Sequence, residues 1–164
     1  MRGGHCRHGR EAHLPGNPVC DVRPVGEAEE DNWSVASDSE SDVASSILNV
    51  TFDCSNGELV ARFWSEVTGW SGAKAEMPGN SYWLVGPGGD AAPRLVFVEV
   101  PEPKRVKNSV HLDLLPRDGS QDQEITRIES LGGRVIDDRR EVSPGGWVVM
   151  ADPEGNEFCI ESGE

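Results

Sequence analysis

The stretch that decides the fold is "MADPEGNEFCIES", residues 150–162. A polar turn, Asp152-Pro153-Glu154-Gly155, separates the apolar segments "WVVMA" and "EFCIE". Proline and glycine between two apolar segments favour a tight turn that joins two strands. The pattern therefore predicts a β-hairpin near the end of the chain, with Cys159 in the middle of its last strand.

The same order of segments occurs once before. "YWLVGPGGD" at 82–90 matches "GWVVMADPEG" at 146–155, and "PRLVFVEV" at 93–100 matches "NEFCIES" at 156–162. Because both segments of the hairpin recur in the same order, the sequence indicates an internal repeat.

The repeat also includes the segments that precede each hairpin. "NVTFDC" at 49–54 matches "SVHLDL" at 109–114, and an amphipathic helix pattern follows each of them, at 57–70 and at 122–133. Glycine closes both helix patterns, at Gly69 and Gly132, as a helix C-cap requires. Each half of the repeat therefore predicts the order βαβββ.

Alternation along the first strand of each half predicts which side chains face the helices. The predicted helix-facing residues are Val50, Phe52, Val110, Leu112 and Leu114. The opposite face carries Asn49, Thr51, Asp53, Ser109, His111 and Asp113. Burying so many polar side chains without water is costly, so this face is expected to line a wet pocket.

These motifs resemble the vicinal oxygen chelate superfamily, which includes glyoxalase I, bleomycin-resistance proteins and extradiol dioxygenases. The resemblance rests on "FDCSNGELVARFWSEVTGW", "NSVHLDL", "LGGRV" and "GWVVMADPEGNEFCIE". It implies an α+β fold of two tandem βαβββ modules, about 47–101 and 108–162. Their strands would form a cup-shaped mixed sheet with the helices outside. Because the superfamily hosts lyases, isomerases, oxygenases and binding proteins, the resemblance indicates the fold rather than the reaction.

The resemblance also implies where a divalent metal would bind. The superfamily's metal enzymes use four side chains, and the matching positions here are Asn49, Ser109, Phe97 and Cys159. A phenyl ring cannot coordinate a metal, and one thiolate does not make a site. No cofactor is therefore expected, and a divalent metal held by an unusual ligand set is the alternative.

Two residues are candidates for acid–base chemistry. His111 is the only histidine after residue 13, and Asp113 lies on the same strand face. A histidine beside a carboxylate can act as a general base near neutral pH. The alternative is that His111 only holds the two modules together through a hydrogen bond. Cys159 is expected to be an unreactive thiol, because its charged neighbours are acidic.

Aromatic and basic side chains give further candidates. Trp83 and Trp147 occupy equivalent places in the two halves, where they would line a ligand pocket or pack in the core. Trp64 and Trp70 are expected in the core or in a dimer contact. The basic cluster Lys104, Arg105 and Lys107 is expected to be a solvated linker, or else the rim of a site for an anionic ligand.

Composition limits the location and the partners. The chain has 164 residues and a net charge of −14, which disfavours nucleic acid and anionic membranes as partners. No apolar run reaches the roughly 18 residues that span a bilayer, so a cytoplasmic location is expected. Residues 1–46 lack periodicity and are predicted to be a disordered tail, followed by one domain at 47–164.

The function most consistent with the sequence is metal-independent binding of a small organic molecule in the cup. One alternative is a lyase or isomerase that uses His111 as acid or base. The other is a metal-dependent glyoxalase-type lyase. The expected partner is a small-molecule ligand or substrate, and a homodimer is the further option.

Deleting residues 1–44 is expected to leave the melting temperature of the domain unchanged within a few degrees. A segment without apolar periodicity makes few packed contacts that stabilise a fold. The measurement is thermal unfolding of the full chain beside the truncated one, and a larger drop would show that the segment packs on the domain.

Overall fold

The computed structural model describes residues 45–142 and 145–163. The predicted tail, residues 1–46, lies outside these residues except for its last two positions. The first module contains β1 (Asn49–Cys54), α1 (Gly57–Thr68), β2 (Ser71–Met77), β3 (Asn80–Gly86) and β4 (Arg94–Glu99). The second contains β5 (Asp113–Leu114), α2 (Gln121–Ser130), β6 (Arg134–Asp138), β7 (Val148–Ala151) and β8 (Glu157–Ile160).

Each module forms its own mixed sheet of four strands. The strand order is β1-β4-β3-β2 in the first module and β5-β8-β7-β6 in the second. In both sheets the first strand pairs in parallel with the last, and the other pairs are antiparallel. The predicted α+β fold of two tandem βαβββ modules is confirmed.

Side-chain and glycine caps fix the helix ends. The side chain of Asn56 accepts a hydrogen bond from the Leu59 backbone N–H at the start of α1, and Gly69 ends the helix with a φ of 70°. Ser120 and Gln123 form a capping box at the start of α2. The cap at its end is Leu131, one residue before the predicted Gly132.

Aromatic side chains from both modules form one core around Trp64 of α1. The Trp64 ring lies 6.1 Å from the ring of Phe52 and 5.0 Å from the ring of Phe158, measured between centroids. Phe158 belongs to the second module, so α1 packs against strands of both sheets. Trp64 is 1% exposed, which agrees with the first of its two predicted places, the core rather than a dimer contact.

The predicted strand faces are confirmed for Phe52 but are wrong for Val110. Phe52 packs beside Trp64 of α1, whereas the Val110 side chain is 70% exposed. The physical reason is that β5 is only two residues long and begins after Val110. Without regular pairing to β8 at that point, strand alternation does not bring its side chain under a helix.

The turn between β7 and β8 is tied to the core by the buried carboxylate of Asp152. This side chain is fully buried and accepts four hydrogen bonds. Trp64 Nε1 (3.2 Å) and Asn156 Nδ2 (2.8 Å) donate to Oδ2, and the backbone N–H groups of Glu154 (3.0 Å) and Asn156 (2.9 Å) donate to Oδ1. Since every oxygen is satisfied, the charge can be buried, and it joins the two modules.

The described part of the chain contains no helix that is both long enough and apolar enough to cross a membrane.

The Asp152→Asn variant is expected to lower the free energy of unfolding by roughly 3 kcal/mol. The side-chain amide NH2 group that the substitution introduces would face N–H donors, which in the parent protein bond to a carboxylate oxygen. The matched control is Asp90→Asn, at an exposed aspartate, which should have almost no effect. In a Trp64→Phe background the cost of Asp152→Asn should shrink, because one donor is gone. Equal costs in both backgrounds, measured by urea denaturation, would contradict the proposed coupling.

Candidate ligand-binding site

A cavity of about 640 Å³ lies between the two modules. Residues 50–55 of β1 and the loop that follows it form one wall, and Asn108, Ser109, Val110 and Leu112 form the opposite wall. The linker between the two modules, residues 100–108, contributes Val100, Glu102, Pro103 and Lys104. Glu154 and Asn156, from the turn between β7 and β8, complete the lining.

The unpaired edge of β1 forms one wall of the cavity, and Asn108, Ser109, Val110 and Leu112, which precede β5, line it from the second module. β1 and β5 are each the first strand of their sheet and have one ladder partner, so their other edges are unpaired in the described structure. Such an edge exposes backbone N–H and C=O groups and side chains of both faces. This explains why consecutive residues of β1 all line the cavity.

The turn of the second module is fixed against the start of α1. The Glu154 carboxylate accepts hydrogen bonds from the backbone N–H groups of Ser55 (2.7 Å) and Asn56 (2.5 Å). Glu99 accepts one from the Gly57 N–H at 2.9 Å. Carboxylates are favourable here because a helix N-terminus carries partial positive charge. The N–H groups at this end of the cavity are therefore already bonded to protein side chains.

The linker is held by Glu157 of β8. Its carboxylate accepts hydrogen bonds from Lys104 Nζ and from the Asn108 N–H, both at 3.0 Å. Burial alone would raise the pKa of Glu157, but these two bonds, a further backbone hydrogen bond and the positive charge of Lys104 together lower it. The carboxylate thus stays ionised and holds the linker beside the cavity at two points, Lys104 and Asn108.

Three of the predicted pocket residues lie on the cavity wall. Thr51 and Asp53 come from β1, and Ser109 comes from the opposite wall. Five other predicted residues are not among the residues that line it: Asn49, His111, Asp113, Trp147 and Cys159. The side chain of Asn49 accepts a hydrogen bond from Arg94 Nε at 3.2 Å, and His111 is exposed.

The prediction for Phe97 needs correction, and of the two alternatives for Trp83 the structure supports core packing, because both side chains lie on the helix side of the first sheet. Phe97 pairs in register with Phe52, and their rings stack at 5.4 Å in the core. Trp83 pairs with Phe97, and its side chain approaches Gly57 of α1. Asp113 pairs with Cys159 in the second sheet, and the equivalent pair in the first sheet is Asp53 and Val98. The predicted match of Phe97 with Cys159 was therefore wrong by one residue.

Three ionisable side chains of the second module interact with one another: Asp113, Cys159 and Glu161. Burial raises the pKa of the Cys159 thiol to about 12, and the negative charge of Asp113 and a hydrogen bond to it add to the rise. Burial and then Asp113 also raise the pKa of Glu161. A thiol with so high a pKa is a poor nucleophile at neutral pH.

No three His, Cys, Asp or Glu side chains in the described part of the chain are arranged so that they could hold a metal ion together.

Most of the linker side of the cavity was missed by sequence reasoning. Glu102 and Pro103 gave no signal, because they belong to no strand or helix pattern, and Val100 was expected only as the end of the strand segment 93–100. Lys104 was noted as a possible rim residue, and the structure places it on the cavity wall. Glu154 was noted only as part of a turn, although the turn sequence itself could have indicated that its carboxylate projects from the hairpin.

A family model described as a glyoxalase-like domain matches residues 49–161 of the chain. No curated protein matches the sequence significantly.

Solved structures share the fold at low sequence identity. Glyoxalase I of Leishmania major is 10% identical, with a TM-score of 0.55 over 73% of this chain and 88% of that chain. The antibiotic-binding protein TnmS3 from Streptomyces sp. CB03234 is 23% identical, with a TM-score of 0.55 over 73% and 96%. A point mutant of the fosfomycin resistance protein FosX from Listeria monocytogenes, in complex with Mn(II), is 12% identical, with a TM-score of 0.58 over 74% and 94%. These likenesses confirm the predicted superfamily fold.

The Cys159 thiol is expected to react with iodoacetamide at pH 8 about a thousandfold more slowly in the folded protein than in the urea-unfolded chain. The reason is that burial and Asp113 raise the thiol pKa from 9.0 to about 12 and so deplete the thiolate. Labelling is followed at this cysteine by peptide mass spectrometry. Equal rates in the two states would contradict the description of a buried, protonated thiol.

Proposed function

The chain belongs to the glyoxalase-like domain family, and we propose that it binds a small organic molecule in the cavity between its modules without a divalent metal. The cavity carries this proposal. Its volume of about 640 Å³ is typical of small-molecule sites. Its lining combines apolar side chains with a few polar groups and free strand edges, which is the composition that such sites use.

The residues at the family's metal positions do not fit a divalent metal. Phe97 is buried in the core, and neither it nor Val98, the strand-pairing counterpart of Cys159, has a donor atom in its side chain. Ser109 offers only a hydroxyl. The Asn49 side-chain oxygen already accepts a hydrogen bond from Arg94, and the Cys159 thiol is protonated at neutral pH. Metal sites in proteins need several imidazole, carboxylate or thiolate donors that converge. This donor set supports a site that works without metal.

Binding is favoured over catalysis because the candidate acid–base residues do not reach the cavity. His111 is exposed, and neither it nor Asp113 is among the lining residues. A general base must come within hydrogen-bond reach of the proton that it removes. Since neither candidate lines the cavity, the enzymatic alternative has weaker support than binding.

Among proteins of the same fold, TnmS3 is described as an antibiotic-binding protein. At 23% identity, this likeness shows that the fold is shared and does not identify the ligand. TnmS3 is thus an example of a protein of this fold that binds an antibiotic, and a small-molecule ligand is the partner proposed here.

The Ser109→Trp variant is expected to abolish ligand binding while it preserves folding. Ser109 is an exposed residue on the cavity wall, so an indole there fills the cavity without disturbing the core. The probe is dansylcadaverine, whose fluorescence rises on transfer from water to an apolar site. Ser45→Trp places the same ring at an exposed position outside the cavity and serves as the control. Binding that survives Ser109→Trp would contradict the proposed site.

Removal of metal should leave this binding unchanged. Dialysis of the purified protein against EDTA, with the metal content checked by elemental analysis, is expected to alter the dissociation constant less than about twofold. A loss of binding that one equivalent of a divalent metal restores would overturn the metal-independent part of the proposal.

A further inference from the structure

We infer that the ligand of the cavity is an organic cation with an apolar body, an inference that rests on the proposed binding function. The basis of this inference is the set of charged groups on the cavity wall that have no hydrogen-bond or ion-pair partner among the described residues. Four lining residues are charged, namely Asp53, Glu102, Lys104 and Glu154. Three of them are acidic, and contacts within the protein neutralise some of these charges but not others.

The one basic side chain among these lining residues is neutralised by the protein. Lys104 Nζ lies 3.0 Å from the Glu157 carboxylate and also donates to the Val106 carbonyl at 2.6 Å. Both side chains of this ion pair are largely buried, at 23% and 15% exposed. A partly buried pair is screened less by salt than a surface pair, so Lys104 is held to its partner and is not free for an anionic ligand.

The usual anion-binding groups are occupied as well. The N-terminus of a helix attracts anions through its free N–H groups. At the start of α1, however, Glu154 accepts from Ser55 and Asn56, and Glu99 accepts from Gly57. The Leu59 N–H bonds to the Asn56 side chain. An anionic ligand would have to displace these carboxylates.

Asp53 and Glu102 are free by contrast. Within the described residues, neither side chain takes part in an ion pair or a hydrogen bond, and both are exposed. They come from β1 and from the linker, so the cavity joins them although they are far apart in sequence. Two unpaired carboxylates that line the same cavity favour a positive charge in it.

Apolar side chains supply the rest of the wall. Val50, Phe52 and Leu112 are half-buried and line the cavity together with Val100 and Pro103. They would cover an apolar body, whereas an inorganic cation would gain nothing from them. The chemical class is therefore an amine or another organic cation attached to a hydrophobic group.

Three probes that share a dansyl group and a five-carbon chain but carry different charges at the other end test this inference. They are dansylcadaverine (cationic), its N-acetyl derivative (neutral) and dansyl-6-aminohexanoic acid (anionic), titrated against the full chain by fluorescence. The cation is expected to bind about three- to tenfold more tightly than the neutral probe, as exposed carboxylates would produce, and the anion more weakly still. Higher salt should reduce the difference.

Variants assign the effect to the two carboxylates. Asp53→Asn with Glu102→Gln should bring the cationic and neutral probes to within about twofold of each other. The control, Asp90→Asn with Glu129→Gln, removes the same charge from exposed positions outside the cavity and should keep the difference. Equal binding of all three probes to the parent protein, abolished by Ser109→Trp, would overturn the inference but leave the binding function standing. If no probe binds, the proposed function fails and the inference fails with it.

Discussion

The buried carboxylate of Asp152 is the constraint on which the rest of this structure depends. It accepts hydrogen bonds from Trp64 in the first module and from its own turn in the second, and it is fully buried. A buried charge is tolerated only where hydrogen bonds replace the water that it has lost. The four donors must therefore stay in place, which fixes the turn between the last two strands against the first helix.

The position of this turn determines the shape of the cavity. Because Asp152 holds the turn, the neighbouring Glu154 reaches the N–H groups of Ser55 and Asn56 and closes one end of the space. The turn and the linker both line the cavity together with β1. Glu157 holds the linker in a similar manner through Lys104 and Asn108. Three acidic residues of one hairpin thus shape a site whose remaining free charges are also acidic.

The repeat, the element order and the helix starts could be predicted from sequence because each has a local signal. The period of the apolar residues identifies α1 and α2, and Gly69 marks the end of the first helix. The face of β4 could not be predicted, because "RLVFVEV" is apolar at nearly every position and strand alternation is hidden. The register therefore had to be taken from the repeat, and an error of one residue moved Phe97 from the core to the cavity.

The cavity wall was harder to predict for a different reason. Thr51 and Asp53 lie on β1, where alternation is informative, whereas Ser109 precedes the short β5. Glu102, Pro103 and Lys104 lie in an irregular linker, whose path depends on the ion pair with Glu157 more than 50 residues further along the chain. Hydrogen bonds between such distant residues leave no periodic trace in a sequence. The short β5 likewise could not be foreseen from the alternating pattern of "SVHLDL".

Hydrogen–deuterium exchange of the full chain with and without dansylcadaverine tests the central claim most directly, that the space between the modules is the ligand site. The backbone N–H groups at the unpaired edges of β1 and of the opposite wall should become protected when a ligand covers them. We predict slower exchange in residues 50–55 and 108–112, with little change in α2 and β6. Protection confined to other segments, or none at saturating probe, would contradict the assignment of this cavity as the binding site.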